Sequence, residues 1–393
     1  MPAADALVRV AERANARRSF LLVSSVLGKH LPVPAARCRL AGVALGLRVA
    51  GDARAERALA VLADAEADGG RAQALLDDLR REPPATPPGA VVIGFAETAT
   101  ALGEQVASSL DAEWFQTTTR QHGALADALS FEEAHSHAPE QWIAVPEAGW
   151  PAGPLIIVDD ELTTGATAAR LVEALHARRP RARYVVAALV DGRASGDGPI
   201  EACARTLGTR IEVVSLQPRG PQEALPGGWS DGALPARAGR LSPAPVRELR
   251  IGFGGPLQHH GQGRAARHAL VAAARDAAVR IGPLPGGSLV LGTGEHLAFA
   301  QYCAQHAGAL TSSSTRSPVL VSERPGYPIR DGLSFANPDA PDLAGFAYNV
   351  RARERPAIVV HFQDRAHRAR GQQLLDALHH AGASSLTAVT LAD

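Results

Sequence analysis

Lysine is almost absent from this sequence of 393 residues: Lys29 is the only one, and arginine supplies the rest of the basic charge. The formal net charge is zero, so composition offers no electrostatic basis for binding nucleic acid or an anionic membrane surface. The three cysteines, Cys38, Cys203 and Cys303, are scattered along the chain. Their odd number and spacing argue against a disulfide framework and a structural zinc site, and fit a reducing cytoplasm.

Long apolar runs are also absent. No stretch approaches the roughly 20 residues that a transmembrane helix needs, and residues 1–5 lack the basic and then apolar order of a secretory signal. We therefore expect a cytoplasmic protein with no membrane partner. The apolar fraction of 46% is typical of globular proteins, and the length predicts two domains.

The most informative stretch runs from Leu155 to Thr167. Four apolar residues come first, then the acidic pair Asp159 and Asp160, and then a Thr-Thr-Gly sequence. The apolar run predicts a buried parallel strand. Residues 163–167 predict the turn from this strand into a helix, which we expect to begin at Ala168.

The turn and the acidic pair together predict a ribose 5-phosphate site. Backbone N–H groups at such a turn lack intrahelical partners and the helix dipole adds positive potential, so a phosphate is the natural ligand. The carboxylates just ahead would meet the hydroxyls of a sugar. The alternative is an ordinary strand-to-helix turn with chance acidic residues. The candidate residues are Asp159, Asp160, Thr163, Thr164, Gly165, Ala166 and Thr167.

These thirteen residues resemble the motif with which type I phosphoribosyltransferases bind 5-phosphoribosyl 1-diphosphate (PRPP). The resemblance implies a parallel α/β sheet and Mg²⁺ carried in by PRPP, with Asp159 and Asp160 near the metal. It also implies a pyrophosphate loop after the preceding buried strand, at Gly94, Phe95, Ala96, Glu97 and Thr98. Glu97 departs from the small residues usual there; it would contact Mg²⁺ or the acceptor, or simply favour a helix N-terminus.

Residues 117–149 form a polar segment without clear periodicity, which matches the mobile catalytic loop of these enzymes. We expect Arg120 to hold diphosphate or the acceptor, and two histidines to contact either one, with proton transfer as a further role. A solvated loop is the alternative. The candidates in this segment are Thr118, Thr119, Arg120, His135 and His137.

Four further candidates lie outside these segments. Lys29 and His30 follow a short apolar run, and the lone lysine would supply a point charge to a diphosphate, unless it is an ordinary exposed cation. Asp191 and Arg193 follow another buried strand, at the carboxyl edge where open α/β sheets bind ligands.

The second half of the chain repeats the pattern of the first. Residues 89–97 match 287–295, and residues 156–158 match 358–360. Four further matches in the same order, among them Thr118-Thr119-Arg120 with Ser314-Thr315-Arg316, predict a duplicated fold with a degenerate second copy. The acidic pair is missing there, so we expect the second copy not to bind PRPP in the same manner. It could bind a second ligand or close over the first site. Its candidates are Gly294, Glu295, Thr315, Arg316 and Ser317.

The two halves together resemble a divergent phosphoribosyltransferase family from bacterial tellurium-resistance and stress-response gene clusters. Its C-terminal TRSP domain is named for the sequence at 315–318. We expect a PRPP-binding domain at 1–217, a Pro/Gly-rich linker at 218–248 and a TRSP-like α/β domain at 249–393.

The resemblance implies transfer of the phosphoribosyl group to an unidentified small-molecule acceptor, in making a nucleotide-like metabolite. Acceptor recognition in this fold comes from a variable hood, which here is either residues 1–50 or the second copy. The alternatives are a non-catalytic PRPP or nucleotide sensor and the reverse reaction on a ribosyl nucleotide. Dimers are common in this fold, but the oligomeric state stays open.

Overall fold

A computed structural model of the protein describes residues 7–14, 19–64, 68–121, 125, 127–132, 140–218, 232–236 and 242–392. The chain folds into two compact units. Of the described residues, unit 1 contains those within 39–223 and 256–267, and unit 2 contains those within 7–38, 224–255 and 268–393.

The strands, in chain order, are β1 (Val8–Glu12), β2 (Phe20–Ser24), β3 (Val33–Pro34), β4 (Val91–Gly94), β5 (Trp114–Thr117), β6 (Ala128–Glu132), β7 (Glu140–Ala144), β8 (Leu155–Leu162), β9 (Arg183–Asp191), β10 (Arg210–Pro218), β11 (Arg247–Gly252), β12 (Gln262–Gly263), β13 (Leu289–Gly292), β14 (Leu310–Ser313), β15 (Gly332–Ala336), β16 (Ala344–Tyr348), β17 (Ile358–Phe362) and β18 (Leu386–Ala392). The helices are α1 (Ala35–Val49), α2 (Arg54–Ala63), α3 (Gly69–Leu79), α4 (Ala99–Ser109), α5 (Ala166–Arg178), α6 (Pro199–Leu207), α7 (Arg264–Ile281), α8 (Leu297–His306), α9 (Arg365–Arg370) and α10 (Gln372–His380). Short 3-10 turns occupy Gln258–His260 and Ala352–Glu354. Among the described residues, no helix combines the length and apolar character that crossing a membrane requires.

Unit 1 is built on one six-stranded sheet with the order β10-β9-β8-β4-β5-β12. The first five strands are parallel, and β12 runs antiparallel to β5. Gly94 at the end of β4 lies opposite Val158 of β8 and Thr117 of β5. The carboxyl ends of β4, β5 and β8 therefore meet at one edge of the sheet, which we call the carboxyl edge of unit 1.

Unit 2 has a sheet of the same design, with the order β11-β18-β17-β13-β14-β3. Again five strands are parallel and the last, β3, is antiparallel to its neighbour. The hairpins also agree in register, because β6–β7 pairs Ser130 with Trp142 and β15–β16 pairs Ser334 with Phe346. The fold class is thus confirmed as α/β with parallel sheets, and the two units share topology and register.

The register corrects one detail of the expected duplication. Gly94 and Gly292 hold equivalent positions, and Gly292 lies opposite His361 where Gly94 lies opposite Val158. The strands therefore align residues 155–157, not 156–158, with residues 358–360. Phe362 and Gln363 take the positions of the acidic pair, and the shift escapes notice in the sequence because both strands are uniformly apolar.

The two halves of the chain exchange short edge strands. β12 comes from the second half but pairs with β5, with Gln262 opposite Phe115. β3 comes from the first half but pairs with β14, with Val33 opposite Thr311. The compact units therefore do not coincide with the ranges 1–217 and 249–393, which as sequence domains stay a prediction. The physical reason is that a two-residue strand gains its backbone hydrogen bonds on any sheet edge left open.

The core of unit 1 follows from the apolar strands. Val91, Ile93, Ile157 and Val186 are fully buried, as in a parallel sheet covered on both faces. Helix α5 packs Leu171, Val172 and Leu175 onto this sheet, at the spacing of one helical face. The core thereby fixes the position of the turn that joins β8 to α5.

Candidate functional site

The turn between β8 and α5 is shorter than the sequence predicted. Strand β8 continues to Leu162, so Asp159 and Asp160 belong to the strand, where both are half-buried. Helix α5 begins at Ala166, two residues before the expected Ala168. Gly165, with φ 78° and ψ 3°, reverses the chain within one residue, and this left-handed conformation is why the helix starts early.

The turn itself therefore consists of Thr163, Thr164 and Gly165. Ala166 and Thr167 lie in the first turn of α5, where backbone N–H groups have no intrahelical acceptor. The Thr164 hydroxyl accepts a hydrogen bond from the Ala166 N–H at 3.2 Å. The turn thus places backbone N–H groups at a helix N-terminus, three residues after Asp160.

Gly165 is required by its neighbours as well as by its backbone. A Cβ atom there would lie 2.7 Å from Cδ1 of the buried Ile200 and 3.2 Å from Cδ of Arg193. Both contacts are closer than carbon atoms normally approach. Because Gly165 has no side chain, Ile200 of α6 can pack directly against the turn.

Asp191 and Arg193 lie beside the turn and form an ion pair with each other. The guanidinium contacts both carboxylate oxygens of Asp191 at 2.9 Å and Oε1 of Glu201 at 2.9 Å. The hydrogen bonds to Asp191 are the main reason that the pKa of Arg193 is raised. This ion-pair group packs against Gly165, and a role of Asp191 and Arg193 in ligand binding stays a prediction.

Residues 94–98 form a loop between β4 and α4 at the same edge. The Phe95 N–H donates to Val158 O at 3.0 Å, which ties the loop to β8. Phe95 and Ala96 are buried, whereas Glu97 and Thr98 are half-buried. The Thr98 hydroxyl does not cap α4, although Thr98 is its N-cap residue.

Thr118 and Arg120 hold this loop in place. The Ala96 N–H donates to the Thr118 hydroxyl at 2.8 Å, and that hydroxyl donates to Oε1 of Gln141 at 2.5 Å. Arg120 Nε donates to Ala96 O at 3.2 Å, and Thr119 exchanges backbone hydrogen bonds with Trp142. The structure thus places Thr118 and Arg120 against the backbone of this loop, and a contact of these residues with a ligand stays a prediction.

Of the remaining predicted residues of the first half, two belong to unit 2 and two lie outside the described residues. His135 and His137 lie outside the described residues. Lys29 and His30 belong to unit 2, where Lys29 O accepts from the Ser312 hydroxyl at 3.2 Å and His30 O accepts from Asn349 Nδ2 at 3.0 Å. β3 carries the preceding loop onto β14, and the contact of Lys29 and His30 with a diphosphate stays a prediction.

The second-copy candidates pair with one another and with their own unit. Glu295 is fully buried and lies 3.3 Å from the guanidinium of Arg316. The Thr315 hydroxyl accepts from the Ser317 N–H at 3.1 Å, and Gly294 has a φ of 70°. These contacts fix the loop shapes of unit 2.

Sequence reasoning missed a segment of unit 1, residues 256–263. Its His259 O accepts a hydrogen bond at 3.2 Å from Nε2 of Gln116, a buried residue of β5. The strand pairing aligns Val33 of β3 with Gln262 of β12, which puts His30 and His259 at equivalent positions. In each half a histidine lies three residues before the aligned residue of the short strand, and this similarity is a signal in the sequence by which the segment could have been found.

The carboxylates near the turn fit a metal ion that is bound together with a phosphate-containing ligand. Among the described residues, no group of three or more His, Cys, Asp or Glu side chains could hold a metal ion. Mg²⁺ is commonly bound by one or two carboxylates together with phosphate oxygens and water. Asp159 and Asp160 supply two carboxylates of this kind on β8.

Two family models match this chain. The first, described as phosphoribosyl transferase, matches residues 7–218. This chain belongs to the phosphoribosyl transferase family. The second model, described as the TRSP domain C-terminal to that transferase, matches residues 257–378 of this family member. Both match the resemblance drawn from the sequence. Among curated proteins, none is significantly similar to the chain.

Several solved phosphoribosyltransferases are similar to part of this family member. Adenine phosphoribosyltransferase from Thermoanaerobacter pseudethanolicus is 18% identical, with 40% of this chain and 84% of that chain covered and a TM-score of 0.27. The enzyme from Giardia lamblia is 15% identical, with coverage of 56% and 98% and a TM-score of 0.30. Orotate phosphoribosyltransferase from Aeropyrum pernix is 24% identical, with coverage of 38% and 72% and a TM-score of 0.23.

Proposed function

We propose that this chain transfers the 5-phosphoribosyl group of PRPP to a small-molecule acceptor and releases pyrophosphate. The observation that carries the proposal is the carboxyl end of β8 in unit 1, where Asp159 and Asp160 lie in the second half of the strand, a few residues before Gly165 and the start of α5. The N–H groups and dipole of the first helical turn suit the 5-phosphate. The carboxylates suit the ribose hydroxyls, because carboxylate oxygens accept hydrogen bonds from hydroxyl groups. Membership of the family supports this assignment.

The loop at 94–98 is the proposed pyrophosphate site. It lies on the strand next to β8 and is fixed by Thr118 and Arg120, so its backbone is organised before any ligand binds. Mg²⁺ bound to the diphosphate would be met by Asp159, Asp160 and Glu97, and it would neutralise charge on the leaving group. The chain's own part is to hold both ends of PRPP at one sheet edge.

The reaction exchanges one bond at C1 of the ribose. The C1–O bond breaks with its electron pair leaving on pyrophosphate, while a lone pair of the acceptor forms the new bond to C1. The proton displaced from the acceptor passes to solvent or to a side chain. The protein contributes by positioning the reactants and by stabilising the separating charges. We further propose that the product is a nucleotide-like metabolite made in the cytoplasm, in a stress-response or tellurium-resistance context, and that the chain assembles as a homodimer.

Calorimetric titration with PRPP and Mg²⁺ tests the site. We expect Asp160→Asn to weaken PRPP binding, because the ribose contact loses its charge, and Thr164→Trp to abolish it, because the indole fills the turn. Asp77→Asn is the control, since Asp77 is an exposed carboxylate on α3. Unchanged PRPP binding in both site variants would refute the assignment.

Pyrophosphate release separates an enzyme from a sensor. The wild-type chain, mixed with Mg²⁺, PRPP and a panel of candidate acceptors, should release pyrophosphate in proportion to the ribosylated product. A non-catalytic sensor would bind PRPP in the calorimeter and release none with any acceptor. The reverse reaction would instead show as consumption of a ribosyl nucleotide when pyrophosphate is supplied.

A further inference from the structure

Residues 256–263 come from the second half of the chain but lie at the carboxyl edge of unit 1. β12 runs antiparallel to β5, with Gly263 opposite Trp114 and Gln262 opposite Phe115. The residues before β12 therefore continue past the carboxyl end of β5. This is the edge that also carries the loop at 94–98 and the turn after β8.

The segment is fixed there by a buried amide. Gln116 donates from Nε2 to His259 O at 3.2 Å and to Ala144 O at 2.8 Å, while its Oε1 accepts from the indole of Trp150 at 2.9 Å. Gly261, with φ 88°, lies on the indole of Trp114, where a Cβ atom would be 2.1 Å from the ring. The segment is thus an integral part of the edge.

Gln258 is the unexplained residue of this segment. Its side chain is only 2% exposed, and in the part of the chain that the structure describes neither Oε1 nor Nε2 has a hydrogen-bond partner. The neighbouring Gln262, equally buried, donates from Nε2 to Pro256 O at 2.6 Å, so that among the described residues only its Oε1 lacks a partner. Burying an amide without partners is costly, so an unpaired donor and acceptor at a ligand edge indicate that a ligand supplies both partners.

We propose that Gln258 determines acceptor specificity at the carboxyl edge of unit 1. Its amide would bind an acceptor molecule that presents a hydrogen-bond donor and a hydrogen-bond acceptor side by side. The inference rests on the proposed transfer from PRPP, and it means that the second half of the chain completes the first site. The strand alignment puts Lys29 at the corresponding position in unit 2, so the two edges present different chemistry.

The test compares Gln258→Leu and Gln258→Met with the matched control Gln262→Leu. The probes are adenine, hypoxanthine, uracil and cytosine, because each base presents a hydrogen-bond donor and a hydrogen-bond acceptor side by side. Two quantities are measured: the KM of each base in pyrophosphate release, and the Kd of PRPP in the absence of a base. Both Gln258 variants should raise KM of the preferred base about tenfold or more, since two hydrogen bonds are lost. The Kd of PRPP should stay unchanged, and Gln262→Leu should leave both values near those of the wild type.

An unchanged KM in both Gln258 variants would overturn the inference. So would a wild-type chain that binds PRPP but releases pyrophosphate with none of the four bases. Failure of the wild-type chain to bind PRPP would instead refute the proposed function, which keeps the two failures distinct. A loss of PRPP binding confined to the Gln258 variants would also overturn the inference, because it would assign Gln258 to the wrong substrate.

Discussion

His361 shows how burial near the end of a strand changes the protonation of a single side chain. It occupies the position that Val158 holds in unit 1, is fully buried and stacks on Phe299 with ring centroids 4.6 Å apart. Burial, and to a lesser degree the nearby His367, lowers the pKa of His361 to about 3. The folded protein therefore holds this ring neutral in mild acid.

We predict that His361→Leu makes the free energy of unfolding less sensitive to acid. Below the unfolded pKa of about 6.5, the unfolded chain binds a proton on this ring that the folded chain does not, so stability falls as pH drops from about 6.5 towards 3. Removing the ring should flatten that decline by up to about 1.4 kcal/mol per pH unit. Urea unfolding between pH 4.5 and 8 measures this. The pH 8 value reports the packing change alone, and parallel curves for both proteins would contradict the prediction.

The sequence drew attention to several single residues without showing what they contact. Arg316 and Glu295 stood out as polar residues in loops, but only the fold shows that they form an ion pair with Glu295 fully buried. Arg120 was expected to face a ligand, and its described hydrogen bond is to Ala96 O. Partner identity depends on which strands are neighbours, and no local pattern encodes that.

At the scale of elements, the turn after β8 depends on Gly165. We predict that Gly165→Ala lowers the free energy of unfolding by about 2–4 kcal/mol, combining the cost of a left-handed alanine with overpacking against Ile200. Gly208→Ala is the matched control, because Gly208 has φ 60° and nothing within 4 Å of its added Cβ. It should cost only about 1 kcal/mol. Equal losses in the two variants, measured by urea unfolding, would show that the Ile200 contact is unimportant.

Apolar runs predicted the central strands well. The runs at 91–93, 155–158 and 184–190 all form buried parallel strands of unit 1. The two-residue strands β3 and β12 escaped notice, since they are too short for any periodicity. The early start of α5 was missed as well, because the left-handed conformation of Gly165 is not written in hydrophobic spacing.

At the scale of the whole molecule, the strand exchange makes each half depend on the other. A fragment of residues 1–248 lacks β12, so the edge of β5 is left open and Gln116 loses its acceptor at His259. We predict that this fragment aggregates when expressed alone, and that it is recovered as a soluble complex when co-expressed with residues 249–393.

Affinity purification through a tag on one fragment, followed by size-exclusion chromatography, measures the association. Co-expression with a second fragment carrying Gly261→Leu is the control, because the added side chain cannot fit against Trp114. If residues 1–248 alone were a monomer with the melting temperature of the full chain, the exchange would be dispensable.

The sequence by itself determined the class of fold, the acidic pair before a glycine turn, the family and the repetition of one pattern in both halves. These features are local: apolar runs, turn residues and their order are properties of short stretches. Only the tertiary structure showed that Lys29 and His30, from the first half of the chain, belong to unit 2. It also showed that Gln258, from the second half of the chain, belongs to unit 1. Each move follows from a two-residue strand pairing with an open sheet edge, and that choice depends on which edge is near and unpaired rather than on the residues of the strand.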